Sequence, residues 1–373
     1  MIVGCPKEIK AQEHRVGLVP SSVREYVNRG HKVIVETGAG AGINFSDDDY
    51  KEAGAEIRQS AADIFAEADM IVKVKEPQPQ ECAMLRPDQI LFTYLHLAAD
   101  PVQVEGLVKS GAVAIAYETI TGKDGKGLPL LAPMSEVAGR LGTIVGAHYL
   151  QKHLGGTGRL MCGVPGVLPA RVMVIGGGVA GFNAARVAVG MGADVTILDR
   201  DHDRLRFLDD YFAGQANVVY SSADFIEKTA PDMDLIIGAV LIPGASAPKL
   251  VTREMLKTMA PGTVIVDIAI DQGGCFETSK PTTHGDPVYV VDGVVHYCVA
   301  NMPGAVPLSS ALALNHAVLP YGLKIADKGW KEALMADPSL RSGLNVCRGE
   351  ITCQSVAESL NMPFKTSDEM LAA

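Results

Sequence analysis

The stretch Arg171–Asp199, RVMVIGGGVAGFNAARVAVGMGADVTILD, decides the fold. A buried strand, Arg171–Ile175, runs into Gly176-x-Gly178-x-x-Gly181. A helix follows, with Ala184, Ala185, Val187, Ala188 and Met191 on its apolar side. Gly192 stops it, and a second apolar strand, Val195–Leu198, ends on Asp199. Each glycine has a physical role. Gly176 turns the chain tightly, Gly178 lets backbone approach a pyrophosphate, and Gly181 lets the helix pack close on the strand. Unpaired N–H groups and the macrodipole at the helix N-terminus favour the phosphates, and Asp199 stands where a carboxylate accepts hydrogen bonds from both ribose hydroxyls. A glycine-rich turn alone is common. Strand, turn, helix, second strand and terminal acid in register point to a dinucleotide-binding unit.

Working outward, the same alternation continues in both directions. Towards the N-terminus the pattern predicts strands at 2–5, 32–36, 70–74, 90–94 and 113–118. Helices are expected at 21–29, 61–68 and 102–110, with Ser46 an N-cap for a helix through Ala53. This half implies a second parallel sheet covered by helices, without a GxGxxG of its own. Beyond Asp199 the strands fall at 218–220, 235–240, 263–270, 288–291 and 294–299, and the helices at 201–212, 223–229 and 252–259. A polar loop spans 271–287, and the tail from Ser309 reads as helices. A long helix, Ser135–His153, carries small residues at Ser135, Gly139, Gly142 and Gly146. That stripe suits close packing either between domains or between subunits. The whole is an α/β chain of two Rossmann-like domains with parallel sheets. The nucleotide domain (131–305) is inserted between the N-terminal segment (1–130) and the C-terminal helices (306–373) of a substrate domain.

Bulk properties narrow the function. The chain has 373 residues, enough for two ordinary domains, and 47% hydrophobic residues. A net charge of −10 argues against nucleic acid and anionic membranes, which need basic patches. No apolar run is long enough to cross a bilayer, and Met1–Pro6 enters a strand with no leader pattern. The 7 cysteines form no CxxC pair and have irregular spacing, so zinc, any other metal and a disulfide framework are not expected; they read as reduced thiols in a cytoplasmic protein.

Several residues in the first half have chemical promise. Arg15, in EHRVGLVP, offers a fork for a small carboxylate, against the plainer reading of a solvated loop arginine. Lys73 and Lys75 share a face by the period of two; Lys75, nearer the strand's carboxyl end, is favoured because open α/β sheets bind ligands there. His96, in YLHLAAD, lies at the same kind of strand end, and an imidazole is the side-chain type suited to proton exchange at physiological pH. In the second half Asp271 is read as ending the strand TVIVDIAI at the mouth of the nucleotide domain, whereas Asp267 is structural. Asn301 and Met302 leave the last strand in a loop shaped by two prolines.

The chain resembles the alanine dehydrogenase family over essentially its whole length. The stretches that carry the likeness include HRVGLVP, IVKVKEP, ILFTYLHLAAD, AYET, LLAPMSEVAGR, GVPGVLPARVMVIGGGVAG, VIVDIAIDQGGCFETSKPTTH and YCVANMPGAVP. The resemblance implies reversible oxidative deamination of L-alanine to pyruvate and ammonia with NAD, in a homo-oligomer, commonly a hexamer. Carried over by motif, Arg15 and Lys75 hold the substrate, and His96 and Asp271 form the acid–base pair. Ser135, Gly176, Gly178, Val179, Ala180, Gly181, Asp199, Arg204, Ser221, Val240, Leu241, Ile268, Ala269, Ile270, Asp271, Lys280, Val299, Ala300, Asn301 and Met302 line the cofactor. The related reading is the NAD(H)-binding subunit of a proton-translocating transhydrogenase, whose members lack a histidine at the position of His96.

Overall fold

The computed structural model describes residues 1–240 and 247–372. Two compact units emerge: Met1–Met134 with Val306–Ala373, and Ser135–Ala305.

The first unit is built on an eight-stranded sheet. Its spatial order is Glu350–Ile351, Leu344–Cys347, Val113–Ala116, Ile90–Thr93, Met70–Val72, Ile2–Cys5, Lys32–Glu36 and Glu56–Arg58. The last six of these are parallel. In sequence order they run 3-2-1-4-5-6 from the Glu56–Arg58 edge, the doubly wound arrangement, with the reversal between Ile2–Cys5 and Met70–Val72. The tail departs from the all-helical expectation. Leu344–Cys347 and Glu350–Ile351 form an antiparallel pair that extends the sheet beyond Val113–Ala116. LNVC is too short to announce itself; pairing to an existing edge makes it a strand. The long helix Pro307–Lys328 is tied to the start of the unit by Asn315. Its amide oxygen accepts from the Val19 N–H at 3.0 Å and its nitrogen donates to the Val16 carbonyl at 3.3 Å. Ser46 is an N-cap as expected, in a reciprocal capping box with Asp49.

The second unit has a seven-stranded sheet in the order Val288–Val291, Val294–Tyr297, Val264–Asp267, Leu235–Gly238, Arg171–Ile175, Asp194–Asp199 and Asn217–Tyr220. All neighbours are parallel except the first pair. Arg171–Ile175 is central, so alternate residues enter different cores. Val172 and Val174 pack with Ala184, Ala188 and Ala138 on one face, and Met173 and Ile175 with Ile226 and Leu256 on the other. This is why RVMVI reads as a continuous apolar run rather than an alternating one.

The small-residue stripe finds its partner inside this unit. The helix spans Ala132–Tyr149. A Cβ on Gly139 would collide with the Ala180 carbonyl, and one on Gly146 would lie 2.6 Å from a Leu235 methyl. Thr143 adds a hydrogen bond of 2.8 Å to the Ala184 carbonyl. The stripe lets this helix press against the glycine-turn helix and the strands beneath, so these glycines pack within one unit rather than between domains.

Candidate functional site

The glycine turn has the backbone geometry its residues suggest. Gly176 has φ +100°, in the left-handed region open to glycine, and a Cβ on Gly181 would overlap the Gly176 carbonyl. The helix Val179–Gly190 starts from Gly178 with no side-chain cap, and nothing lies within 4 Å of where a Gly178 Cβ would stand. Uncapped N–H groups facing open space are the donor set a pyrophosphate needs, and Val179 and Ala180 supply the first turn.

Asp199 is built into the same turn. One carboxylate oxygen accepts from the Gly177 N–H at 2.7 Å, and the other from Arg200 and Asp201 at 2.7 and 2.9 Å. Arg204 donates to the Gly177 carbonyl, and its guanidinium lies 4.5 Å from the centre of the Phe207 ring and 5.3 Å from that of Phe182. Burial lowers its pKa, although the Asp199 and Asp201 carboxylates oppose this. Ser221 is buried; its N–H donates to the Asp199 carbonyl at 2.8 Å, and its own carbonyl accepts from Arg200 Nε at 3.3 Å. The turn, Asp199, Arg204 and Ser221 therefore form one hydrogen-bonded group, and their residue types fit a dinucleotide.

The remaining expected cofactor residues follow the carboxyl ends of neighbouring parallel strands. Val240 comes after Leu235–Gly238, Ile268, Ala269, Ile270 and Asp271 after Val264–Asp267, and Val299, Ala300, Asn301 and Met302 after Val294–Tyr297. Leu241 lies outside the described residues. Ser135 sits one turn before Gly139 on the helix that touches Ala180. Lys280 carries its ammonium over the Tyr289 ring, 4.4 Å from the ring centre.

One strand boundary is corrected. The strand stops at Asp267, and Asp271 is exposed on a 3-10 turn, Ile270–Gln272. The buried Asp267 ends the strand because its carboxylate gathers the chain behind it, accepting from Ala269 N–H at 3.1 Å, Cys275 N–H at 2.8 Å and the Ser279 hydroxyl. Burial raises its pKa against those hydrogen bonds.

In the first unit the expected residues also follow parallel strands at their carboxyl ends. Arg15 is not a solvated loop residue: it is 3% exposed. Its Nε and Nη2 donate to the Glu13 carboxylate at 2.7 and 2.6 Å, and Nη1 lies 3.2 Å from the Met134 sulfur. The fork is thus already gripped along one edge, which fixes its plane. Lys73 and Lys75, inseparable by alternation, part company here. Lys73 is fully buried between Glu8 at 3.0 Å and Glu81 at 2.8 Å, whereas Lys75 is half-buried past the strand end, with its ammonium 3.4 Å from Glu76. Glu8 also accepts from the N–H groups of Val74 and Lys75, so the buried ion triad shapes the turn that carries Lys75.

His96 is exposed and stacks on Tyr94, ring centres 5.7 Å apart at 9°. Its backbone is left-handed, φ 50° and ψ 39°, which costs a residue with a Cβ about 1–2 kcal/mol. Glu118 meets that cost in part, accepting the His96 N–H at 2.6 Å and the Leu95 N–H at 3.1 Å. Sequence reasoning passed over Glu13, Tyr94 and Glu118 as individuals. The available signal was position: Glu118 follows the next parallel strand, as His96 follows its own. Among the described residues no group of His, Cys, Asp and Glu is arranged to hold a metal ion, and no helix is long and apolar enough to cross a membrane.

Comparison with known proteins gives the lineage. Residues 4–138 match the family model for the alanine dehydrogenase/PNT N-terminal domain, and residues 142–354 the one for its C-terminal domain. The chain is 58% identical over 364 residues to the alanine dehydrogenase of Halomonas elongata, covering 98% of each chain. It is 52% identical over 372 residues to that of Mycolicibacterium smegmatis, covering all of both. A solved L-alanine dehydrogenase superposes with a TM-score of 0.93 at 49% identity, covering 97% of this chain and 99% of the other. A transhydrogenase from Sinorhizobium meliloti reaches 0.81 at 26% identity, covering 95% and 100%. With both of its halves matched and its relatives aligned from end to end, this chain belongs to the alanine dehydrogenase/PNT family.

Proposed function

We propose that the chain catalyses the reversible oxidative deamination of L-alanine to pyruvate and ammonia, with NAD as the cofactor. The observation that carries this reading is full-length identity above half to proteins named alanine dehydrogenase, in a chain that keeps His96 on an exposed, backbone-anchored turn. Transhydrogenase is the more distant relative, at 26% identity. A dehydrogenase of this family works with a nicotinamide nucleotide. The preference for NAD over its 2′-phosphate rests on Asp199, whose carboxylate favours ribose hydroxyls and repels that phosphate. Arg200, which could otherwise greet the phosphate, spends its Nε on the Ser221 carbonyl.

The residues of this chain have distinct roles in that chemistry. Bound NAD supplies the hydride acceptor. The turn Gly176–Gly181, with Asp199 and Ser221, holds the dinucleotide. Arg15, its plane set by Glu13, and Lys75 hold the substrate carboxylate and polarise its carbonyl or imine, so that Cα is presented in one orientation. Oxidation at Cα leaves an iminium ion; water adds to it, and His96 or Asp271 takes the proton released. The same pair returns a proton to nitrogen as the carbinolamine collapses to pyruvate and ammonia. Homo-hexameric assembly in the cytoplasm completes the proposal.

Mixing the protein with NAD⁺ and L-alanine and following NADH absorbance tests it. Steady production supports the reading; tight NADH binding without alanine oxidation overturns it in favour of a nucleotide-binding subunit. Light scattering that finds only monomer removes the hexamer.

A further inference from the structure

We propose that Glu118 is a positioning residue that sets the attitude of His96, an inference resting on the acid–base role given to His96 above. His96 is one of nine described non-glycine residues with positive φ, and it bears the exposed imidazole that the chemistry uses. A residue with a Cβ persists there only when its surroundings over-determine it. Two features do so. The first is Glu118, on the 3-10 turn Tyr117–Thr119 that follows the strand Val113–Ala116. Its Oε1 lies 2.6 Å from the His96 nitrogen and 3.1 Å from that of Leu95, and its Oε2 lies 3.2 Å from Leu95. One carboxylate thus collects two successive N–H donors, and a charged acceptor makes such bonds shorter and stronger than neutral ones. The second feature is Tyr94, whose ring lies parallel to the imidazole while its hydroxyl donates to the Leu130 carbonyl at 2.5 Å. Tyr94 is in turn held edge-on by Tyr117, next to Glu118 in the chain, with ring centres 5.1 Å apart. Glu118 fixes the backbone from which the ring departs, and Tyr94 fixes the plane in which the ring lies.

The purpose follows from chemistry. A proton-transfer group has to meet its partner within hydrogen-bond reach, and a displacement near 1 Å is enough to cost about 100-fold in rate. An exposed side chain on a turn has few neighbours to stop it swinging. Anchoring the backbone in a conformation it would otherwise leave confines the ring without touching the face it presents to substrate.

A double-mutant cycle on the full-length protein tests this, reading kcat for alanine oxidation, NADH affinity by fluorescence and melting temperature in E118A, H96A and the pair. The expected result is a loss of about 10- to 100-fold in kcat for E118A, with NADH affinity unchanged. In the H96A background the same change costs no further turnover, because the group it positions is gone. E118Q keeps an oxygen acceptor for both N–H groups and recovers most of the rate. If E118A does not fold, E118D, which keeps the charge but shortens the reach, carries the same comparison. A low-rate H96A in which the Glu118 change still costs its full factor overturns the positioning role alone, as does an E118Q no better than E118A. An H96A with the parent's turnover overturns the acid–base reading and this one with it.

Discussion

The two units share the strand order 3-2-1-4-5-6 across their parallel strands, yet they make the first connection differently. In the second unit, Arg171–Ile175 passes to the helix Val179–Gly190 through Gly176, Gly177 and Gly178 alone. In the first, Ile2–Cys5 reaches the helix Pro20–Asn28 only after the long segment Pro6–Val19, which carries Glu8, Glu13 and Arg15. The short connection leaves backbone N–H groups uncapped and open. The long one puts charged side chains at the equivalent place. Topology determines where a ligand is met in such sheets, at the carboxyl ends of the strands beside the reversal. The length of the connection decides whether main chain or side chain meets it. A dinucleotide offers a phosphate bridge that main chain recognises well, whereas a small amino acid needs discrete charges and a proton-transfer group.

If that division of labour is right, the two units should fail separately. The largest effect is expected from His96→Ala: a loss of about 10²–10⁴ in kcat, the usual range for a general acid–base group, with NADH affinity preserved. Turnover and NADH binding would be measured on the same preparation; a mutant that binds NADH poorly would break the separation, and one that keeps its turnover moves the proton-transfer role to Asp271. Next comes Gly181→Ala, which injures the other unit. Its new methyl overlaps the Gly176 carbonyl, so the helix has to retreat. Overpacking of this kind costs about 1–3 kcal/mol, and NADH affinity should fall while isolated changes in the first unit leave it intact. Denaturant melts and NADH titration check this, and unchanged affinity would sink the role given to the turn.

Cofactor choice sharpens the comparison further. The parent should prefer NAD to NADP by at least about tenfold in kcat/KM, equivalent to about 1.4 kcal/mol, and Asp199→Ala should narrow that gap mainly by losing NAD. Equal efficiency of the parent with both cofactors refutes the assignment of Asp199.

The smallest effect is a pH dependence of stability that belongs to the second unit. His296 is fully buried, with Nδ1 2.9 Å from the Val294 carbonyl and Nε2 2.8 Å from the Thr278 hydroxyl, a setting that one neutral tautomer satisfies. Burial lowers its pKa, partly opposed by the Val294 hydrogen bond. The unfolded chain therefore takes up this proton first as pH falls. The stability contributed by His296 is fully present above the unfolded value of about 6.5 and is lost as pH drops from there through the lower folded value. His296→Gln should flatten the fall in melting temperature across that window; an unaltered slope would show that the acid sensitivity lies elsewhere.

Much of the site was legible from local pattern because its parts are local. GxGxxG, the strand before it and the acid after it lie within one continuous stretch, and what each glycine does is set by sterics that a sequence displays. Proximity to strand ends likewise pointed at Arg15, Lys75 and His96, each of which follows a strand. Where reading failed, the deciding contact came from farther along the chain. DIAI is apolar enough to continue the strand towards Asp271; the buried Asp267 ends it by capturing Cys275 and Ser279. Lys73 and Lys75 looked alike until Glu8 and Glu81 closed on the first.

By itself, then, the sequence determined the class of the fold, the place of the glycine turn and the residue types gathered in the candidate site, since periodicity, glycine sterics and charge are properties of neighbouring residues. Only the tertiary structure decided that LNVC would become a strand, that the glycine stripe of Ala132–Tyr149 would be spent on Ala180 and Leu235, and that Glu13 and Glu118 would hold Arg15 and His96 in place. The physical reason is the same in each case. A carboxylate, a bare glycine or a four-residue apolar run has no preference for a partner until folding brings one within a few ångströms, and sequence separation says nothing about which that will be.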